Sequence, residues 1–467
     1  MHKNWRDCQA WRDIGLPLST TSNEAAKLYD AAVTQIVGYY DDSSVGGLEA
    51  TLKRMLECDP DFVMGHVLKN KFQATPWTAK HDAHIKKDLD YLFSLTDKPN
   101  TTDRERGHIE AIKHAVVDHP YDAYASYDNI LVDHPNDIFA LHSSFMGYLH
   151  IGPSTQIKDT VGRVLGSWKK SDIHYGYVSS LYAFGLEECN MYDRAEKTVL
   201  QALEMNKNDT WGSHTLCHIY EMTGRHDEGA EFMLKTESDW WMGSNFRCHN
   251  TWHWALFYVE KGEYENALSL YDRTIGKSAI GPLSSPFPIT DAVSLLHRLE
   301  ILGVNVGDRW EELKRKCEDH IDDHMWPFAD AHFMFAFIRD KASKSGQGLL
   351  ESIKAYVRDS DLKDGHNAKV YRDIGLPIYE AINAYGDGLY GEAVDLIAPK
   401  RYEVAKFGGS HAQRDVFSLF LIDAALRSSE TRHHKLARSL LRERKANKPC
   451  SPFSDKLVAR LMDLHDD

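Results

Sequence analysis

The sequence predicts an all-α fold, a right-handed α-solenoid of paired helices, some of them degenerate. Three observations carry this prediction. No stretch shows the period-two alternation of a half-buried strand. From about residue 102 onward the chain reads helix, short turn, helix, break, and then begins again. The clearest units recur at a nearly fixed period, Ala195 aligning with Gly229 after 34 residues and Gly229 with Ala267 after 38.

The elements follow in order. The first twenty residues are irregular and contain a turn at Asp13-Ile-Gly-Leu-Pro-Leu18. Residues 19–23 offer several N-cap candidates, and Ala25, Leu28, Ala32 and Ile36 make the apolar stripe of the helix that follows. Gly46-Gly47 opens a stretch in which Asp59-Pro60 ends one helix and begins the next. Pro76 and Lys98-Pro99-Asn100 bracket another helix, so residues 1–101 read as a helical N-terminal cap. Residues 102–275 hold the regular pairs. Gly224 and Gly262 fall in the turns within pairs, and the small Ala195 and Ala267 fall where the two helices approach. Residues 276–467 continue the same solenoid in degenerate form and close it with a cap. The Pro/Ser/Gly-rich residues 278–290 read as an inserted loop. Gly391-Glu-Ala-Val394 echoes Glu265-Asn-Ala-Leu268. A longer echo pairs Arg12-Asp-Ile-Gly-Leu-Pro-Leu18 with Arg372-Asp-Ile-Gly-Leu-Pro-Ile378, read as one helix-start turn used twice. Two helices in about 34 residues is the signature of tetratricopeptide-like repeats.

Composition narrows the function classes. With 42% hydrophobic and 27% charged residues, the chain reads as an ordinary globular protein. Its net charge of -14 disfavours nucleic acid and anionic lipid as partners. There is no signal-peptide pattern and no apolar run of the ~18–20 residues that a bilayer requires, so the expectation is a cytoplasmic protein without membrane contact. The seven scattered cysteines form no Cys-x-x-Cys pair, which argues for free thiols and against a thiolate zinc site.

The candidate chemistry lies between Trp211 and Trp254. His214 and His218 stand four apart, with Glu221 three further on, and His249 and His253 also stand four apart. Spacing of i, i+4 puts both rings of a pair on one helix face. Two such pairs on neighbouring helices, ~8–10 Å apart, can converge on one ion. Imidazole plus carboxylate suits a divalent transition metal, zinc or iron first. Thr215 follows His214, so this is not the His-Glu-x-x-His motif; Glu221 is read as a ligand or a general base. The spacing also exposes a difficulty, because the pairs are 35 residues apart where the local period is 38. Further candidates are His332, in the helix opened by Asp330, and the Gly408–Asp415 turn. There Arg414 could hold an anion and Asp415 could move protons, or the two could pair structurally. Gln413 and Trp252 are read with His332 as substrate contacts. No phosphate-binding loop or nucleophile elbow is present.

Several longer motifs resemble the tetratricopeptide repeat protein 38 family over nearly the whole chain. They are Arg6-Asp-Cys-Gln-Ala-Trp11, Leu16-Pro-Leu-Ser-Thr-Thr-Ser-Asn-Glu24, Phe62-Val-Met-Gly-His66, the His214–Glu221 segment, Cys248-His-Asn-Thr-Trp-His-Trp-Ala-Leu256, Asp330-Ala-His-Phe333 and Gln413-Arg-Asp-Val-Phe417. The resemblance implies an α-solenoid in which the first helix of each pair faces a concave groove, placing the histidines there. It implies no particular activity. Two functions follow as expectations. One is a metal-dependent hydrolase of a small or acylated substrate, with Glu221, Asp415 and Arg414 as its working residues. The other is a non-catalytic scaffold holding a peptide or protein in the groove.

Overall fold

The computed structural model describes residues 4–244, 246–282, 284–340, 344–359 and 363–464. Among them the regular elements are all helical, and β-pairing is confined to an isolated bridge between Tyr40 and Gly243. No helix among the described residues is long and apolar enough to cross a membrane. The chain forms two compact units, one of residues 1–215 and 238–246, the other of residues 216–237 and 247–467.

The first unit is a stack of helix hairpins. Asn23–Gly38 packs on Gly47–Cys58, and the helices Asp103–Val116, Pro120–Asp133, Ile138–Ile151, Ser154–Val164, Tyr175–Glu187 and Tyr192–Met205 each pack on the next in sequence. Local chemistry sets their ends. Of the residues offered before Asn23, Ser22 is the cap and accepts from the Ala25 amide. Thr102 and Glu105 form a reciprocal capping box. Asp137 caps the helix at Ile138 and also accepts from Arg104 at 2.8 Å and His108 at 2.9 Å, tying neighbouring hairpins together. Trp11, Tyr29, Phe62 and Phe139 are buried in its core, and each such side chain contributes about 1.5–3 kcal/mol by leaving water.

The second unit begins within the helix Thr210–Thr223, which we call the first histidine helix. It ends at Gly224, whose φ of +74° only glycine adopts without strain, and the chain turns into His226–Lys235. The second histidine helix, Phe246–Lys261, ends in the same way at Gly262, φ +75°. Gly229 marks the close approach of the repeat: a Cβ there would stand 2.5 Å from the Phe257 ring. Further hairpins follow, among them Leu376–Gly386 with Tyr390–Ile397 and His411–Arg427 with Thr431–Asn447. The last helix, Pro452–Asp463, does more than close the stack. Glu260 of the second histidine helix accepts hydrogen bonds from Ser451 Oγ and the Phe453 amide, and Cys450 O meets His226 Nε2 at 3.0 Å.

Three local expectations change. The loop expected over 278–290 shrinks to 281–285, because helix Gly276–Ile280 precedes it and Pro286 and Pro288 sit in the first turn of helix Pro286–Ile301. There proline has no amide hydrogen to lose and its fixed φ suits the helix. The repeated heptapeptide is not one turn used twice. Gly15 is left-handed, φ +77°, and stops the helix Cys8–Asp13, whereas Gly375 has φ -61° and lies in a π-helical turn running straight into Leu376–Gly386. Pro60 lies in the turn before its helix, which starts at Val63.

Candidate metal centre

The two histidine helices carry the candidate ligands. The second is 16 residues long against 14 for the first, and it gains its extra length at the N-terminus, where His249 lies. Counted back from the turn glycines, His214 lies ten residues before Gly224 and His249 thirteen before Gly262, so the mismatch between a spacing of 35 and a period of 38 remains as a three-residue displacement along the second helix. In the second unit the His218 and His253 ring centroids stand 4.5 Å apart, and those of His249 and His253 stand 4.9 Å apart. One nitrogen from each of these three rings lies within 4.8 Å of the others. Three nitrogens on one tetrahedral ion, with bonds of ~2.0–2.1 Å, stand ~3.3 Å apart, so side-chain shifts of about an ångström close the set. His214 falls in the first unit. It sits one turn before His218 on the same continuous helix, with its ring against Phe184, Trp211 and Phe246.

None of these side chains lines an open groove, as the sequence had suggested. His218 and His253 are 0% exposed, and His214 and His249 are 2% exposed. The reason is aromatic cover: Trp252 stacks flat on His249 at 5.2 Å, and Phe287 stands 5.0 Å from the same ring. Burial, reinforced by the neighbouring His218 and His249, holds the His253 imidazole well below its usual pKa. It is therefore neutral at pH 7, the form in which imidazole binds metals.

Carboxylates stand behind two of the three rings. Asp291, on helix Pro286–Ile301, places both oxygens 3.0 Å from His249 Nδ1. Glu221 Oε2 lies 3.4 Å from His253 Nδ1. A carboxylate at Nδ1 fixes the tautomer and orientation of a ring that ligates through Nε2. Glu221 is further engaged: Lys448 Nζ donates to its Oε1 at 2.7 Å. Burial alone would raise the Glu221 pKa, but the Lys448 ammonium and His253 outweigh it and hold the carboxyl well below the ordinary range. A carboxylate so firmly ionised is a weak proton acceptor and a good orienting anion.

The remaining candidates spread around this centre. Trp252 is fully buried, with the Arg298 guanidinium 5.4 Å from its ring centroid. Arg298 is buried as well and donates to Ala412 O at 2.8 Å. His332 packs among Phe328, Phe335 and Phe417, and its Nδ1 meets Phe328 O at 2.7 Å. Burial pushes its pKa down to about 3. Gln413 completes a capping box with Ser410, its Oε1 accepting the Ser410 amide at 3.0 Å. Asp415 pairs with both terminal guanidinium nitrogens of Arg444, and Arg414 donates to Gly409 O. Burial raises the Asp415 carboxyl, but Arg444 and Lys448 prevail and hold it below its usual pKa. Asp330 is no N-cap. It lies inside helix Pro327–Phe337 and accepts from Tyr371 at 2.8 Å.

Sequence reasoning missed Asp291, Arg298 and Lys448. The first two had a readable signal, since Asp291, Ser294 and Arg298 follow a helical i, i+3, i+7 rule on a helix otherwise apolar on nearly every side. Charges on such a helix need buried partners. Lys448 had none, because its partner Glu221 is 227 residues away.

No protein-family model matches the chain. Among solved structures it is similar to the human IFIT1 dimer with m7Gppp-AAAA, at 12% identity and a TM-score of 0.35, over 96% of each chain. At that score the likeness carries no weight for fold detail or for function.

Proposed function

We propose that the protein is a metal-dependent hydrolase of a small or acylated substrate, with zinc or iron held by His218, His249 and His253. A single observation carries this reading: three buried, mutually close imidazoles, two of them backed by a carboxylate at Nδ1. A helix interface that needed only packing would not require charged partners buried behind its rings. The absence of cysteine from the group favours imidazole chemistry, as burial holds the Cys217 and Cys248 thiols well above their usual pKa. The bound ion would supply Lewis acidity towards a carbonyl or a water molecule. The chain's own groups do the rest. Asp291 and Glu221 orient the rings, Lys448 keeps Glu221 ionised, and Trp252 and Phe287 keep bulk water away. Arg414 and Arg298 offer positive charge to an anionic substrate group. The long motifs noted above lead us to place the chain in the tetratricopeptide repeat protein 38 family, as a cytoplasmic member.

Metal analysis of protein purified without a histidine tag tests the reading. Near-stoichiometric zinc or iron is expected, lost in His218→Ala with His253→Ala while circular dichroism stays helical. Metal-free wild-type protein, unable to take up either ion on dialysis, overturns it and leaves the interaction scaffold.

A further inference from the structure

The second unit holds a cavity of about 340 Å³ where four helices end. Glu300 lies in the last turn of Pro286–Ile301 and Tyr385 in the last turn of Leu376–Gly386. Arg427 ends His411–Arg427, and Arg339 stands two residues beyond Pro327–Phe337. All four side chains line the cavity, together with the buried His297 and the apolar Ile301 and Val304.

The carboxylates here are already engaged. Glu300 accepts from Trp310 Nε1 on Oε1 at 2.9 Å and from Arg339 Nε on Oε2 at 2.8 Å. Asp423, behind the wall, accepts from Arg427 Nε at 2.7 Å and from the Tyr385 hydroxyl, both on Oδ2, and Arg460 Nη2 lies 2.8 Å from its Oδ1. Donors remain. Among the described residues Arg427 hydrogen-bonds through Nε alone, which leaves both terminal nitrogens, and Arg339 leaves Nη1. Aromatic rings hold the two guanidiniums in place. Arg339 stands 4.9 Å from the Trp310 centroid, and Arg427 stands 5.9 Å from that of Tyr385 and 5.8 Å from that of Tyr390. His297 adds a further donor. Arg339 Nη2 donates to its Nδ1 at 2.9 Å, and burial with the nearby arginines holds the imidazole well below its usual pKa, so the neutral ring carries its proton on Nε2. That buried N–H has no hydrogen-bond partner among the described residues, a costly arrangement unless an acceptor arrives.

Charge and size narrow the ligand. Three arginines, Arg339, Arg427 and Arg460, stand against two carboxylates, Glu300 and Asp423, a surplus of one positive charge. The helix C-termini carry partial negative charge that takes up some of it, so the cavity suits a monoanion better than a phosphate dianion. Planar guanidinium forks match the two oxygens of a carboxylate. The volume lies at the lower end of the ~300–1,000 Å³ usual for ligand pockets. We infer that this cavity binds a small monocarboxylate, its oxygens on Arg427 and Arg339 and its apolar body against Ile301, Val304 and the Tyr385 ring. None of these residues belongs to the histidine centre, and binding needs no metal.

Ligand-observed NMR titration of the full chain with benzoate tests this, with benzamide as a neutral ligand of the same shape and inorganic phosphate as a dianion. Benzoate is expected to saturate one site at submillimolar concentration, and benzamide to bind at least about tenfold more weakly, the factor that loss of a charge-assisted hydrogen bond entails. Phosphate should bind more weakly than benzoate. Arg427→Met should weaken benzoate by about tenfold as well, with Arg427→Lys restoring part of the affinity. Asp423 keeps Arg460 and Tyr385 in that variant, and an unchanged melting temperature confirms its folding. Val304→Trp, which fills the apolar part, should abolish binding. The inference falls if wild-type protein shows no saturable benzoate binding up to millimolar concentration, or binds benzamide equally well or phosphate more tightly. It also falls if neither Arg427→Met nor Val304→Trp changes the affinity.

Discussion

The Asp291 and Lys448 side chains decide how the histidine centre works, and each gives a test. Asp291 stands 3.0 Å from His249 Nδ1, behind the proposed ligand set. Asp291→Asn should lower metal affinity about 10–100-fold, as loss of an orienting carboxylate does elsewhere. Competition with a chromophoric chelator measures it, and an unchanged affinity would show that Asp291 is merely a packing residue. Lys448 neutralises a buried carboxylate at 2.7 Å, both partners less than a tenth exposed. Lys448→Met leaves Glu221 charged and unmatched, a loss of about 3–5 kcal/mol of stability. Adding Glu221→Gln removes the stranded charge and should recover a large part of that loss in urea unfolding. If the double variant is as unstable as the single one, Lys448 acts through packing and not charge.

At the scale of elements, close approach and turn geometry govern what each glycine tolerates. Gly229 lets His226–Lys235 settle onto the second histidine helix, where a Cβ would meet the Phe257 ring at 2.5 Å. Gly229→Ala should therefore cost about 1–3 kcal/mol by overpacking. Gly348, inside helix Ser345–Tyr356, has nothing within 4 Å of the added carbon. Gly348→Ala should instead stabilise by about 0.5–1 kcal/mol through helix propensity. Chemical denaturation of the two variants side by side gives opposite signs if packing, not propensity, controls the first site. The turn glycines and the hairpin period could be read directly, because both are local properties. The twin heptapeptides could not be told apart: identical residues stop a helix at Gly15 and continue one at Gly375, according to what packs around them.

For the molecule as a whole, buried neutral histidines set the response to acid. Burial holds His142 and His332 down to about 3 and His297 well below its usual range. Unfolded, each titrates near 6.5, so below that pH the unfolded chain binds more protons than the folded one. Stability is thus fully present above about pH 6.5 and falls as pH drops, by about 1.4 kcal/mol per pH unit for each such histidine. Glu221 and Asp415, whose carboxyls are held low by cations, act in the same direction at lower pH, since their stabilisation is lost as they protonate. Urea midpoints should decline steadily from pH 7 to pH 5. A flat profile across that interval would mean that these histidines are protonated in the folded state.

The sequence by itself determined the helical class, the hairpin period and the two histidine pairs. Each depends on residues within a few turns of one another, where spacing alone dictates which side chains share a face. It also marked Glu221, Asp415, Arg414 and Gln413 as unusual positions without revealing what they do. Only the tertiary structure decided that Asp415 answers to Arg444, and that Asp291 and Lys448 stand behind the rings. Those pairings join elements 29 to 227 residues apart. A buried charge takes whichever opposite charge the packing brings to it, and no local pattern encodes that choice. The same packing turned an expected open groove into an enclosed centre, because Trp252 and Phe287 fold over the rings that the helix period had merely aligned.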